Sequence, residues 1–461
     1  MLKSYCKHLL IFFALASALT VIGLAQDTTA KFDEYLTAIT KQGRFTGSVL
    51  VARDGKVLFS KGYGIANLEF DIANTPQTKF RLGSITKQFT AASILLLQER
   101  GKLSVQDPIC KYVENCPKTW EPVTVHHLLT HTSGIPSYTD VKSPEEFRIM
   151  SLQKVTPVGF VDSFKSKPLE FAVGEKMKYN NSGYFILGHI IEKISGQSYE
   201  AFLQDNIFTP LKMMNTGYDT HDRILKGRAT GYSQANGKTI NSEYLDMTVP
   251  YAAGSLYSTV EDLFAWNEAL FSDRLLTTKS RTAMLTPDKN NYAYGLTITK
   301  SFNRPLVSHG GGINGFSTFL GRFPEEKITV VVLRNSDFSS PNPGKMSGDL
   351  AAILLGEKYE IPATEVTPKA AVVAKVDPKI YDAYVGEYQL APNFILTITR
   401  EGDQLMTQAT GQGKIEIFPE SETKFFPKEI EAKITFVKDE SGKVTHLTLQ
   451  QNGERQAKKI K

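Results

Sequence analysis

Ser84-Ile85-Thr86-Lys87 places a serine and a lysine three residues apart. A serine hydroxyl is a poor nucleophile at neutral pH until a base takes its proton. On a helix this spacing sets the two side chains on one face, and a neutral Lys87 can then be the base. The tetrad alone is weak, because it also describes a serine at a helix start and a solvated lysine on its first turn. Two further groups lie downstream: Tyr179-Asn180-Asn181, after a polar loop, and His309-Gly310-Gly311-Gly312, before Asn314-Gly315-Phe316. A tyrosine relays protons where a nearby ammonium lowers its pKa. The Asn181 amide can both hold Lys87 and bind a substrate carbonyl. A glycine-rich strand lets a substrate backbone pair with it edge-on.

The elements that must position these groups are legible in outline. Ser48–Ala52 and Lys56–Phe59 flank Asp54-Gly55, a strong two-residue hairpin signal. Ser84 opens a helix whose Ile85, Phe89, Ala92, Ile94 and Leu95–Leu97 are apolar nearly all round, the mark of a buried helix, with Gly101 as its stop. The free N–H groups at its start favour developing negative charge, which suits a nucleophile. Residues 105–285 are helix-rich, with Ser258-Thr259-Val260-Glu261 as a capping pattern. Strands return from Tyr292, and Phe316–Phe323 and Lys327–Asn335 read as a second hairpin across Pro324-Glu325-Glu326. Strands at both ends with helices between predict an α+β domain whose sheet unites the termini. A stretch rich in Pro, Ala, Thr and Val marks a linker at 361–375. The short strand-like runs of 376–461, punctuated by Gly402, Gly442 and Asn452-Gly453, predict a separate antiparallel β domain, barrel or sandwich.

The order Ser-x-x-Lys, Tyr-x-Asn, His-x-Gly resembles the serine β-lactamase and penicillin-binding protein superfamily. The branch it resembles holds class C β-lactamases, D-alanyl-D-alanine carboxypeptidases, D-aminopeptidases and family VIII esterases. His127–Gly134 and Ala253–Thr259 look like framework segments of that branch. The resemblance covers about residues 30 to 355. It implies a β-lactamase/transpeptidase-like α+β domain over 26–360, an antiparallel sheet flanked by helices plus a helical subdomain. The final part resembles the small antiparallel β-barrel appended to some of these hydrolases. By resemblance, Ser84 attacks a carbonyl, Lys87 and Tyr179 shuttle the proton, and Asn181 orients Lys87 and substrate. His309, Gly311 and Gly312 bind substrate, with the backbone N–H groups of Ser84 and Gly312 as oxyanion hole. Neither metal nor organic cofactor is implied. Many β-lactamases carry Lys-Thr-Gly where this chain has His309-Gly310-Gly311. A full charge and a hydroxyl are missing, so esters, amides or peptides are expected as substrates at least as readily as penicillins. A true β-lactamase is the alternative, and a penicillin-binding sensor without turnover is the alternative of another class.

Composition bounds the rest. Hydrophobic residues at 41% and charged residues at 22% suit a globular protein, and 461 residues suit two or three domains. A net charge of +5, with no basic block before Lys458-Lys459-Ile460-Lys461, argues against nucleic acid. Lys3, Lys7, the apolar run Leu9–Leu24 and Gly23-Leu24-Ala25 read as a signal peptide over 1–25. A periplasmic or secreted location is therefore expected, with no membrane span after cleavage. A small or peptide-like acyl compound is the expected partner, and the oligomeric state is open. Cys110 and Cys116 then read equally as a local disulfide or as two core thiols. His126, His127 and His131 cluster, but His127 and His131 enclose Leu128, Leu129 and Thr130, so the glutamate of a zinc H-E-x-x-H is missing and no metal is expected.

Overall fold

The computed structural model describes residues 28–235, 237–338, 340–361, 373–391, 394–410, 414–428, 432–450 and 454–461. The signal peptide expected over 1–25 and most of the linker expected over 361–375 lie outside them. The chain divides into two compact units, built mainly from 28–361 and 373–461.

The first unit begins with helix α1 (28–41) and strands β1 (Gly47–Arg53) and β2 (Lys56–Tyr63). Asp54 and Gly55 both have positive φ, +50° and +73°. That is the primed turn an Asp-Gly pair favours, and it matches the twist of the hairpin. Strands β3 (Thr297–Ser301), β4 (Arg304–Ile313), β5 (Phe316–Phe323) and β6 (Ile328–Arg334) complete an antiparallel sheet in the order β3-β4-β5-β6-β1-β2. β1 pairs directly with β6, Val49 opposite Val332, so the sheet does unite both ends of the unit.

Alternation along these strands builds two cores. Val49, Val51, Val330 and Val332 pack with Phe32, Tyr35, Leu36 and Ile39 of α1 and with Met346 and Leu350 of the helix Pro343–Leu355. Leu50, Ala52, Val331 and Leu333 face the opposite way, into the larger core of the helical part. At its centre runs helix α2 (Thr86–Glu99), buried at every position from Thr86 to Leu97. Phe89 packs on Trp266 with ring centres 4.2 Å apart, and the indole N–H donates to Gln88 Oε1 at 2.8 Å. Gly101, at φ +67°, closes the helix, as expected. Ser84 does not open the α-helix itself. It sits in the 3₁₀ turn Gly83–Ile85 that leads into α2. The helix Val260–Leu270 is capped by Thr259, which accepts from Asp262 N–H, one residue later than the Ser258 pattern predicts.

The second unit is a closed barrel of eight antiparallel strands, from Gly386–Ala391 to Glu454–Lys459, with Tyr388 opposite Lys459 where the ends meet. Closure leaves no open sheet edge. Its interior is filled by Tyr384, Tyr388, Leu396, Ile398, Leu405, Ile417, Phe425, Ile434, Phe436 and Leu447, with Tyr384 stacked on Phe436 at 4.2 Å.

Candidate active site

Three short pieces hold Ser84. Strand Phe80–Arg81 pairs with Leu256–Ser258, and Leu82 N–H donates to Leu256 O at 2.8 Å. Gly83 turns the chain at φ +55°, and a Cβ there would stand 2.9 Å from Gly312 N and O. Only glycine combines that turn with so close a neighbour. Gly312 belongs to β4, whose pairing with β3 ends at Ser308 opposite Thr297. From His309 to Ile313 the strand is paired only on its β5 side, and its other edge lies beside the Ser84 turn.

Asn180 caps the helix Asn181–Ser195, its Oδ1 accepting from Gly183 N–H at 2.7 Å. Asn181 is therefore the first residue of that helix. Its N–H donates to Ser137 Oγ and its Nδ2 to Thr139 Oγ1, each at 3.1 Å, which turns Oδ1 toward Lys87.

Lys87 is fully buried. Its Nζ lies 3.1 Å from Ser84 Oγ, 2.8 Å from Asn181 Oδ1 and 2.8 Å from the Ala253 carbonyl oxygen. Burial holds its pKa well below the usual lysine range. A neutral amine has two hydrogens and one lone pair. The two oxygens that can only accept, on Asn181 and Ala253, use both hydrogens, and the lone pair is left for the Ser84 hydroxyl. This is a nucleophile–base pair of the kind that acyl transfer requires.

Tyr179 completes the group. Its ring centre is 4.9 Å from Lys87 Nζ, and the Ser84 side chain acts on its phenol so as to lower its pKa. The sequence expectation of a phenol made more acidic by an ammonium is corrected here. Tyr179 is 37% exposed, yet desolvation by the protein around it pushes its pKa up, the Ser84 side chain offsets this only in part, and the amine beside it is itself held toward neutrality. Tyr179 can pass a proton as a hydroxyl, not as a phenolate.

His309 is buried, and both its nitrogens are occupied within the protein. Nδ1–H donates to the Gly310 carbonyl at 2.6 Å, and Nε2 accepts from the Tyr292 hydroxyl at 2.9 Å. Burial and the nearby Lys87 hold its pKa down to about 4, so it is neutral at pH 7.

The structure thus gathers Ser84, Lys87, Tyr179 and Asn181, with His309, Gly311 and Gly312 on the adjoining strand. Sequence reasoning missed Ala253, Ser137, Thr139 and Tyr292. Ala253 stands in a framework segment, but nothing local marks its carbonyl as a lysine partner. Among the described residues no three His, Cys, Asp or Glu side chains are placed to share a metal ion. His126 and His127 instead bond to Tyr294 and Thr124. Cys110 and Cys116, left open by the sequence, are joined as a disulfide. Two clefts of about 680 and 480 Å³ are lined by neither Ser84 nor Lys87.

Residues 28–353 match the family model described as Beta-lactamase. The chain belongs to the β-lactamase family. The α+β unit is accordingly β-lactamase/transpeptidase-like, and the closed barrel coincides with a match of residues 370–461 to a domain of unknown function, DUF3471. The chain is 29% identical over 444 residues to penicillin-binding protein 4* of Bacillus subtilis, covering 91% of this chain and 96% of that one. The octameric penicillin-binding protein homologue from Pyrococcus abyssi is 28% identical, with a TM-score of 0.63 over 93% of this chain and 99% of that chain. A D-amino acid amidase from Ochrobactrum anthropi SV3 is 26% identical, with a TM-score of 0.62 over 72% of this chain and 98% of that chain.

Proposed function

We propose that this β-lactamase-family protein is an exported serine hydrolase that works through an acyl-enzyme on esters, amides or peptides. One observation carries the reading: a buried Lys87 amine whose two hydrogens are held by Asn181 and Ala253, leaving its lone pair for Ser84. Ser84 Oγ attacks the substrate carbonyl, and its proton passes to Lys87. The tetrahedral oxyanion is received by the backbone N–H groups of Ser84 and Gly312, a contribution of about 3 kcal/mol per donor in such sites. Collapse expels the alcohol or amine, which takes the proton back by way of Lys87 and the Tyr179 hydroxyl. Water then releases the acid and regenerates Ser84.

The neutral, internally bonded His309 favours substrates that do not depend on a carboxylate held by a cation at this strand. The likeness to a D-amino acid amidase supports amides among them. The Cys110–Cys116 bond supports an oxidising compartment outside the cytoplasm.

A fluorophosphonate should add one mass tag to the peptide that contains Ser84, and Ser84→Ala should abolish both tag and turnover. Tagging that persists in Ser84→Ala would end the assignment. Acylation by a β-lactam with a burst and no later turnover of any ester or amide would point to the sensor reading instead.

A further inference from the structure

His131 lies in this neighbourhood, and the reaction scheme leaves it unused. It is 1% exposed and lies at φ +59°, a left-handed conformation rarely kept by a residue with a Cβ unless its surroundings dictate it. Two of its atoms accept from the chain on either side of Tyr179. Its carbonyl oxygen takes Lys178 N–H at 3.0 Å, and its Nδ1 takes Asn180 N–H at 3.1 Å. Its ring centre lies 4.4 Å from that of Tyr179, 4.5 Å from Tyr292 and 5.1 Å from Tyr184.

Because Nδ1 accepts, the proton must sit on Nε2. That nitrogen is buried and has no hydrogen-bond partner. What the imidazole supplies that an apolar ring cannot is the Nδ1 acceptor. Lys87 and His309 face it electrostatically, with Tyr179, Tyr184 and Tyr292 around it, and burial beside them keeps it neutral and able to accept.

We propose that His131 is a positioning residue for the reaction: an acceptor that ties down the chain on both sides of Tyr179 and backs its ring, so that the phenol stays beside Lys87. The inference rests on the acyl-transfer reading above. A displacement of about 1 Å in such a group can cost as much as a hundredfold in rate.

The test compares His131→Ala, His131→Phe and His131→Asn by hydrolysis of a p-nitrophenyl ester, with competent sites counted by fluorophosphonate titration. His131→Ala and His131→Phe should lose tenfold or more in kcat per titrated site, with KM changed by less than about threefold. His131→Asn should recover most of the loss, because its Oδ1 can take the place of Nδ1 and asparagine tolerates positive φ. A purely structural role would lower Tm and the number of titrated sites but leave kcat per site unchanged. Wild-type kcat per site in His131→Ala, or a His131→Phe as active as His131→Asn, overturns the proposal. A readout that needs no folded Ala or Phe variant is the ¹⁵N spectrum of histidine-labelled wild type. It should show a ring protonated at Nε2 and neutral at pH 7, with a signal missing from His131→Asn. A ring at that place that is charged at pH 7 or carries its proton on Nδ1 also overturns it. Failure of the underlying reading looks different: wild type itself would give no burst at Ser84, and the inference would fall with it.

Discussion

The carbonyl oxygen of Leu82 lies 1.9 Å from where a Cβ on Gly311 would have to sit. It also accepts the Thr318 hydroxyl at 2.8 Å, from the residue opposite Gly311 in the register. The strand and the Ser84 turn therefore meet backbone to backbone. Gly311→Ala must push them apart, with Gly312 carried along. The expected result is a loss of about a hundredfold or more in kcat/KM from a protein that still folds. Gly348 is the control. It lies in the helix Pro343–Leu355, and a methyl added there would have nothing within 4 Å, so Gly348→Ala should raise stability by about 0.5–1 kcal/mol and leave turnover alone. Equal activity in the two variants would refute the argument.

Lys87 must be neutral to accept the Ser84 proton. Its pKa is pushed down from the usual lysine value, so the rate should rise with pH as the amine loses its charge and reach a plateau below the pH at which free lysine titrates. Lys87→Arg, which stays charged, should lose on the order of a thousandfold in kcat or more, since it removes the base. Turnover of Lys87→Arg within tenfold of wild type would dismiss Lys87 as the base.

Ser84, Lys87 and Asn181 were open to sequence reasoning because each belongs to a short pattern whose chemistry follows from its residue types. The hairpins were legible for the same reason: Asp54-Gly55 dictates its own turn. Ala253, Thr139 and Tyr292 come to the site through tertiary packing, and nothing near them in sequence says so. The charge states were hidden too. Tyr179 beside a lysine suggests an acidic phenol, but burial holds that lysine toward neutrality, and desolvation shifts the pKa of the part-exposed Tyr179 up rather than down. Leu256–Ser258 is too short to announce itself within a helix-rich stretch, yet it pairs with the strand that leads to Ser84. Thr259 takes the cap from Ser258 because the Ser258 hydroxyl is engaged with Thr216 at 2.7 Å.

His309 should leave a mark on stability against pH. Its folded pKa of about 4 lies below the free value of 6.5. Between those values the unfolded chain binds a proton that the folded one does not. The contribution is therefore fully present above pH 6.5 and is lost as pH falls toward 4, to a total of about 3 kcal/mol. His309→Asn removes the titrating group and keeps a donor for the Gly310 carbonyl. Urea midpoints of wild type should fall more steeply from pH 6.5 to 4 than those of the variant. Parallel profiles would mean that His309 is not buried as a neutral ring.

Cys110 and Cys116 close a loop of only a few residues, so their bond restrains the unfolded chain modestly, by about 2 kcal/mol on a chain-entropy account. Denatured, unreduced protein purified from its native compartment should show no reactive thiol at either position. The Cys110→Ser/Cys116→Ser double variant should be less stable by about that amount and keep its kcat. Two free thiols in the purified protein would contradict the bond.

Substrate preference follows from the strand that carries His309. An ammonium there could contribute on the order of 1–3 kcal/mol to a substrate carboxylate, about five- to 150-fold in affinity. His309 offers none of this: it is neutral, its Nδ1–H is committed to Gly310, and its Nε2 is an acceptor already met by Tyr292. The free edge from His309 to Ile313 can still pair with an extended amide. Short p-nitrophenyl esters and D-amino-acid p-nitroanilides should therefore show higher kcat/KM than benzylpenicillin or nitrocefin. Penicillin hydrolysis at about 10⁷ M⁻¹s⁻¹ or above, near the diffusional range, would show that the missing cation is not what limits recognition, and would make the chain a true β-lactamase.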